Sequence, residues 1–312
     1  MGVSLKGRDL LSMRDLSAAE ILAVLDLAGE LKAKAKRGEP HPYLAGKTLG
    51  MIFQKPSTRT RVSFEVAMYQ LGGYALYLNA ADLQLGRGET IADTARVLSR
   101  YLDGLMIRTY AQSDVEELAR YADIPVINGL TDLEHPCQIL ADLLTVREHK
   151  GRLAGLKLAY VGDGNNVCHS LLLGCAKVGM DISVASPPGY WPREDIVEAA
   201  RAAADETGSR VEVGADPVEA VRGADVVVTD VWASMGQEKE AGERRRIFAP
   251  YQVNGELVRH AREDFIFLHC LPAHRGEEVT DEILDGPHAV VWDEAENRLH
   301  VQKALLVMIM GS

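Results

Sequence analysis

Six short segments carry residues suited to polar chemistry, and each follows an apolar, β-branched run. The first is Gln54-Lys55-Pro56-Ser57-Thr58-Arg59-Thr60-Arg61. A proline interrupts the chain, and small hydroxyl residues then open a helix expected to run to about Leu71. The first amides of a helix lack partners within it, and with the helix dipole they attract an anion. Ser57, Thr58 and Thr60 add hydroxyl donors, and Arg59 adds a planar fork that matches phosphate oxygens. Two arginines in the first turn oppose the dipole, which a purely structural helix start tends to avoid. The segment is therefore read as an oxyanion site.

The other segments are less specific one by one. Arg108 ends the run Leu105-Met106-Ile107; it is either a strand-end charge reaching water or the second arm of a phosphate clamp. His135, in His135-Pro136-Cys137-Gln138, is either a turn residue or a catalyst. Asp230, which opens Asp230-Val231-Trp232-Ala233-Ser234-Met235-Gly236, is either a cap or a carboxylate that meets an amine. Gly236 would let backbone approach a ligand there. Cys270, in His269-Cys270-Leu271-Pro272, is either an inert core thiol or a participant. His269, Cys270 and His274 lack the spacing of a zinc motif, so no metal is expected.

Gly162-Asp163-Gly164-Asn165-Asn166 supports a rival reading, a nucleotide-dependent oxidoreductase. The dinucleotide fingerprint needs a third glycine, where Val167 stands, and an acid ending the next strand, which here reads Ala185-Ser186-Pro187. A Rossmann-like fold without a nucleotide site is expected.

These segments need strands to position them. Apolar runs predict strands near Thr48–Phe53, Tyr74–Leu78, Leu105–Ile107 and Val126–Ile127, then Lys157–Val161, Ile182–Ala185, Val211–Val213, Val226–Thr229 and Phe265–Leu268, with a last one at Ala289–Trp292. Helix-like segments lie between them. Ser17 to Glu20 and Ser113 to Glu116 fit capping boxes, Gly72 and Gly179 fit helix ends, and Leu299–Met310 reads as a final helix. Strand–helix alternation implies parallel sheets. Ligands of such sheets bind beyond the carboxyl ends of the strands, where all six segments fall. Three segments in each half suggest one cleft between two domains, with a boundary near Glu148–Leu156.

Composition agrees. A chain of 312 residues suits two domains, and 47% apolar with 25% charged residues is a globular balance. A net charge of -11 without a basic patch argues against nucleic acid. No apolar run nears the ~18–20 residues that span a bilayer, and the first residues lack a secretory signal. Cys137, Cys168, Cys175 and Cys270 form no CxxC pair, as in a reducing compartment, so a cytoplasmic location is expected.

Taken in order, the motifs resemble those of the aspartate/ornithine carbamoyltransferase family over essentially the whole chain. Ser57-Thr58-Arg59-Thr60 resembles its carbamoyl-phosphate motif and His135-Pro136-Cys137-Gln138 its second shared motif. The Ser234-Met235-Gly236 loop and the His269-Cys270-Leu271-Pro272 run are similar to the ornithine-type sequences. The resemblance implies an α/β fold of two domains, residues 1–148 for carbamoyl phosphate, rejoined by a helix at about 294–312, and 149–293 for ornithine. It implies carbamoyl transfer to the δ-amine of ornithine, without a cofactor; putrescine or an acylated ornithine is the alternative acceptor. Ser57, Thr58, Arg59, Thr60 and Arg108 would hold phosphate, while Thr60, Arg108 and His135 polarise the carbonyl. Gln138 and the backbone oxygens of Cys270 and Leu271 would hold the carbamoyl amine, near Arg298. Asn166, Asp230, Ser234 and Met235 would bind ornithine. Arg108, His135 and Cys270 are the catalytic candidates. Gln84 would reach a neighbour's site in a homotrimer.

Overall fold

The computed structural model describes residues 3–311. It divides into two compact units, one running to Leu144 and resuming at Glu296, the other Thr145–Ala295.

The first unit is built on four parallel strands, β1 Thr48–Phe53, β2 Tyr74–Asn79, β3 Gly104–Arg108 and β4 Val126–Leu130, in the order β2-β1-β3-β4. β1 and β3 are buried along nearly all their length, which is why apolar runs, Leu49–Phe53 and Leu105–Ile107, fill their interiors. The helices of this unit are α1 Ala18–Lys36, α2 Thr58–Gln70, α3 Ile91–Leu98 and α4 Gln112–Tyr121, together with most of α5 Pro136–Lys150. Ile52, Leu105, Ile107 and Val126 from the sheet pack with Ala95, Val115 and Leu118 from α3 and α4.

The second unit has five parallel strands, β5 Lys157–Val161, β6 Asp181–Ala185, β7 Val211–Gly214, β8 Val226–Val228 and β9 Ile266–Leu268, in the order β7-β6-β5-β8-β9. Its helices are α6 Asn166–Lys177, α7 Glu194–Thr207, α8 Pro217–Val221, α9 Ala241–Phe248, α10 Gly255–Val258 and α11 Asp281–Leu284. The last helix, α12 Val291–Met310, starts in this unit and ends in the first. Among the described residues no helix is long and apolar enough to cross a membrane.

Nine strands stand where apolar runs predicted them. The tenth does not form. Ala289 makes only an isolated bridge to Phe267, and α12 begins at Val291. A short apolar run is ambiguous between strand and buried helix, and Asp293 and Glu294 in the first turn favour the helix through its dipole. The Ser17 capping box is present, with Ser17 accepting from Glu20 N. That at Ser113 is not: α4 starts after Ala111, so Ser113 lies inside it, and Asp114 accepts from the Thr109 hydroxyl at 3.0 Å.

Candidate active site

Each sheet changes direction once, and the sequence motifs lie at those two points. In the first sheet the chain leaves β1 for β2 on one side and returns to β3 on the other. A crevice opens beyond the carboxyl ends of two strands so separated. Gln54 to Thr60 follow β1 there, and Arg108 ends β3, its carbonyl accepting from Gln54 N at 2.9 Å. The pairing of β3 with β4 shifts register between Ile107 and Arg108.

Ser57 is the N-cap of α2 and accepts from Thr60 N at 3.1 Å. Thr58 and Arg59 then form the open first turn. Arg298 of α12, nearly buried, donates to Gln138 Oε1 at 2.6 Å and to Thr60 Oγ1 at 3.1 Å. Gln138 in turn donates to Asp142 Oδ1 at 2.8 Å, so its amide orientation is fixed from both ends. His135 is buried, and its pKa lies well below the usual value, first because of burial and then because of the charges of Arg298, Arg108 and Arg59. The group is a neutral imidazole among three guanidiniums, which suits binding of a phosphate and donation of an N–H to a carbonyl oxygen.

Not every arginine belongs to it. Arg61 lies over the Tyr77 ring, 3.8 Å from its centroid, and pairs with Glu65 at 3.0 Å, so it braces the helix surface. Gln84 sits exposed on a short turn, Gln84–Arg87, and among the described residues makes no side-chain hydrogen bond to the arginine group. Sequence reasoning missed buried Glu134, which accepts from Met13 N at 2.9 Å and so ties the N-terminal segment beside His135.

In the second sheet the reversal lies between β5 and β8. Asn165, the N-cap of α6, accepts from Val167 N at 3.0 Å and Cys168 N at 3.2 Å. Its amide donates to Asp230 Oδ2 at 2.7 Å, and the Cys270 thiol donates to Asp230 Oδ1 at 3.2 Å. Asp230 is thus a buried carboxylate aimed by two neighbours. Asn166 is buried at the start of α6. Ser234 and Met235 lie farther along the loop, which Gln237 closes by accepting from Ser234 N at 3.0 Å; Met235 is exposed.

The resemblance to a nucleotide loop has a different cause. A side chain at Gly164 would come within 2.2 Å of Pro192 N and 2.4 Å of Trp191 C, so glycine there admits the chain's own segment Tyr190 to Pro192. Gly164 N donates to Tyr190 O at 2.8 Å. Asp163 pairs with Arg244 at 2.9 Å, and Arg244 also donates to Trp232 O at 2.8 Å, at the base of the Asp230–Gly236 loop. Burial raises the Asp163 pKa to about 6 against the opposing pull of Arg244.

Cys270 and Leu271 are held from behind. His269 is fully buried; its Nδ1 accepts from Leu271 N at 2.9 Å and its Nε2 faces Glu278 Oε1 at 3.2 Å. Its backbone N–H donates to Glu294 at 2.9 Å. Leu271 takes a left-handed φ of 58°, which a side chain adopts only where its surroundings enforce it. Arg244, Glu278 and Glu294 carried no sequence signal beyond their charge.

Two family models match the chain, one over each sheet. Residues 8–148 match the model described as aspartate/ornithine carbamoyltransferase, carbamoyl-P binding domain. Residues 154–309 match that described as aspartate/ornithine carbamoyltransferase, Asp/Orn binding domain. The chain is 67% identical over 311 residues to an ornithine carbamoyltransferase of Carboxydothermus hydrogenoformans, covering 100% of both. It is 62% identical to one from Pyrococcus furiosus named as anabolic, covering 100% of this chain and 99% of the relative. The solved P. furiosus structure superposes with a TM-score of 0.97 at 62% identity over 99% of each chain. That of the Campylobacter jejuni anabolic enzyme gives 0.90 at 44% identity over 96% of this chain and 97% of the other.

Proposed function

Because the chain belongs to the aspartate/ornithine carbamoyltransferase family, we propose that it transfers the carbamoyl group of carbamoyl phosphate to the δ-amine of L-ornithine, giving L-citrulline and phosphate. The observation that carries this reading is full-length identity of 67% to a relative bearing that activity in its name.

Ser57, Thr58, Arg59, Thr60 and Arg108 hold the phosphate, using hydroxyls, guanidinium forks and the start of α2. Arg298 orients Thr60 and Gln138. Gln138 and the carbonyls of Cys270 and Leu271 accept from the carbamoyl NH2. Asp230 pairs with the α-ammonium of ornithine, with Asn166, Ser234 and Met235 around the amino-acid end. The δ-amine attacks only when neutral, and its free pKa near that of lysine, ~10.4, has to fall. Nearby guanidiniums lower it by disfavouring a further positive charge. Attack forms the C–N bond and places charge on the carbonyl oxygen, which Thr60, Arg108 and neutral His135 stabilise. The C–O bond to phosphate then breaks, and the departing charge stays on Arg59 and the helix start. The departing phosphate, basic once the C–O bond breaks, takes the proton from the new C–N nitrogen, while the Cys270 thiol, donating to Asp230, shapes the polar network beside it.

The enzyme acts in the cytoplasm, in arginine metabolism, as a homotrimer in which Gln84 of one chain completes a neighbour's site. A colorimetric citrulline assay with carbamoyl phosphate tests the central claim. Ornithine should be the preferred acceptor over aspartate, putrescine and acetylornithine; faster use of any of the three would overturn it.

A further inference from the structure

We propose that His274, Glu277 and Glu278 form a binding site for one divalent transition-metal ion, at the Glu278 oxygen that is not engaged with His269. A ligand atom of each lies within 4.8 Å of the others. The turn that joins them is closed by Glu277 N donating to His274 O at 2.9 Å, with Gly276 at a φ of 82°.

The independent observation is Glu278 itself. Its side chain is fully buried, and Oε1 accepts from the His274 backbone and faces His269 Nε2. Oε2 is equally enclosed yet has no hydrogen-bond donor among the described residues, and it stands 3.8 Å from His274 Nδ1. A carboxylate oxygen enclosed without a donor is costly and calls for an ion or water. Two ligand atoms 3.8 Å apart fit within the ~4 Å reach of one ion bound at ~2.0–2.2 Å to each. The donor set, one imidazole and two carboxylates, suits Zn2+ or Co2+ better than Ca2+, and leaves a fourth position to water. His274 is half-exposed, which gives the ion a way in. Glu277 pairs at 2.8 Å with exposed Arg245, a contact of the kind worth little in water and readily exchanged. In sequence, Glu277 and Glu278 look like ordinary surface charges, and only His269, Cys270 and His274 stand out as metal ligands.

The rival metal ligands are Asp230, His269 and Cys270, a second cluster that includes a thiol. The test removes it. Full-length chain stripped with chelator and carrying Cys270→Ser is titrated with Zn2+ by calorimetry and with Co2+ by visible absorption. The expected result is one ion per chain, with cobalt d–d bands and no sulfur charge-transfer band. Adding His274→Ala, on an exposed side chain that folding does not need, should raise Kd at least ~10-fold, the loss of one of three ligands. Glu277→Gln should weaken binding in the same direction. No binding by the Cys270→Ser protein, or equal binding with and without His274, would overturn the proposal.

Discussion

Arg244 and Asp163 form a buried ion pair 2.9 Å long, and the same guanidinium nitrogen that meets Asp163 also donates to the carbonyl of Trp232. One side chain therefore fastens the loop after β8 to the loop after β5. Breaking a buried pair by removing one partner typically costs ~3–5 kcal/mol, because the other charge is left stranded. Arg244→Met should lower the thermal midpoint and raise the ornithine KM by at least ~10-fold, while the carbamoyl phosphate KM changes little. Equal losses for both substrates would contradict a role confined to this loop. The double variant Arg244→Met with Asp163→Asn should recover part of the stability, since neither member of the pair is left as a stranded charge.

Asp230→Asn is a sharper test of the division of labour. The variant keeps the shape and, through its one amide oxygen, the contact with Cys270, but loses the charge proposed to meet the α-ammonium and the bond from Asn165. Calorimetry with a carbamoyl phosphate analogue already bound should show ornithine affinity reduced by ~10- to 100-fold, the range of one charge-assisted hydrogen bond. Binding of the analogue itself should stay within about twofold. A parallel fall in both affinities would count against the assignment.

His135 should stay uncharged throughout the working pH range. Burial and the charges of Arg298, Arg108 and Arg59 hold its pKa well below the ordinary histidine value, so it is neutral at and above that value. NMR of ring-labelled histidines should show one resonance that does not titrate between about pH 6 and 8 and that disappears in His135→Gln. Turnover in that variant should fall by ~10²–10³-fold, the typical effect of losing one oxyanion donor. A His135 resonance titrating near pH 6.5 would remove the argument for a neutral donor.

Lys303 gives a stability prediction away from substrate. Its ammonium is buried on α12 and donates to Gln70 Oε1 at 2.9 Å and Leu31 O at 3.4 Å, with His41 Nε2 at 3.2 Å. Burial lowers its pKa from 10.5 to about 8. The folded chain therefore binds fewer protons here than the unfolded chain between pH 8 and 10.5, and stability from this group rises with pH across that window. The slope cannot exceed about 1.4 kcal/mol per pH unit for one proton. Urea unfolding from pH 7.5 to 10 should show Lys303→Met losing this upward contribution relative to the parent. Parallel profiles for the two proteins would refute it.

The pattern of success in reading the sequence has a physical basis. β1 and β5 were readable to their end residues because strands of a parallel sheet are buried on both faces and so are unbroken apolar runs. Ser57 was readable because an N-cap is a local event, settled within three residues. The reversals of strand order at β1/β3 and β5/β8 were not, since pairing between strands distant in sequence leaves no local mark. Arg244 and Glu278 look like ordinary surface charges in sequence; their importance comes from partners 81 and nine residues away. Ser113 shows the opposite error, a correct spacing whose contacts are not made.

Gln84 is exposed on the turn after β2, as an ordinary mobile loop residue would be, and among the described residues it makes no side-chain bond to the arginine group of its own chain. If it completes a neighbouring chain's site instead, Gln84→Ala and Arg59→Ala should each be poorly active, for defects that lie on different chains of one site. Under the proposed homotrimer, unfolding, mixing and refolding the two variants would give trimers in which some sites draw Arg59 from one chain and Gln84 from the next. Those sites are whole, so activity should rise above the mean of the two parents. Sites built within one chain would each keep one defect, and mixing would restore nothing. Mass-tagged chains establish whether mixed trimers formed, and mixed trimers without recovered activity would defeat the shared site.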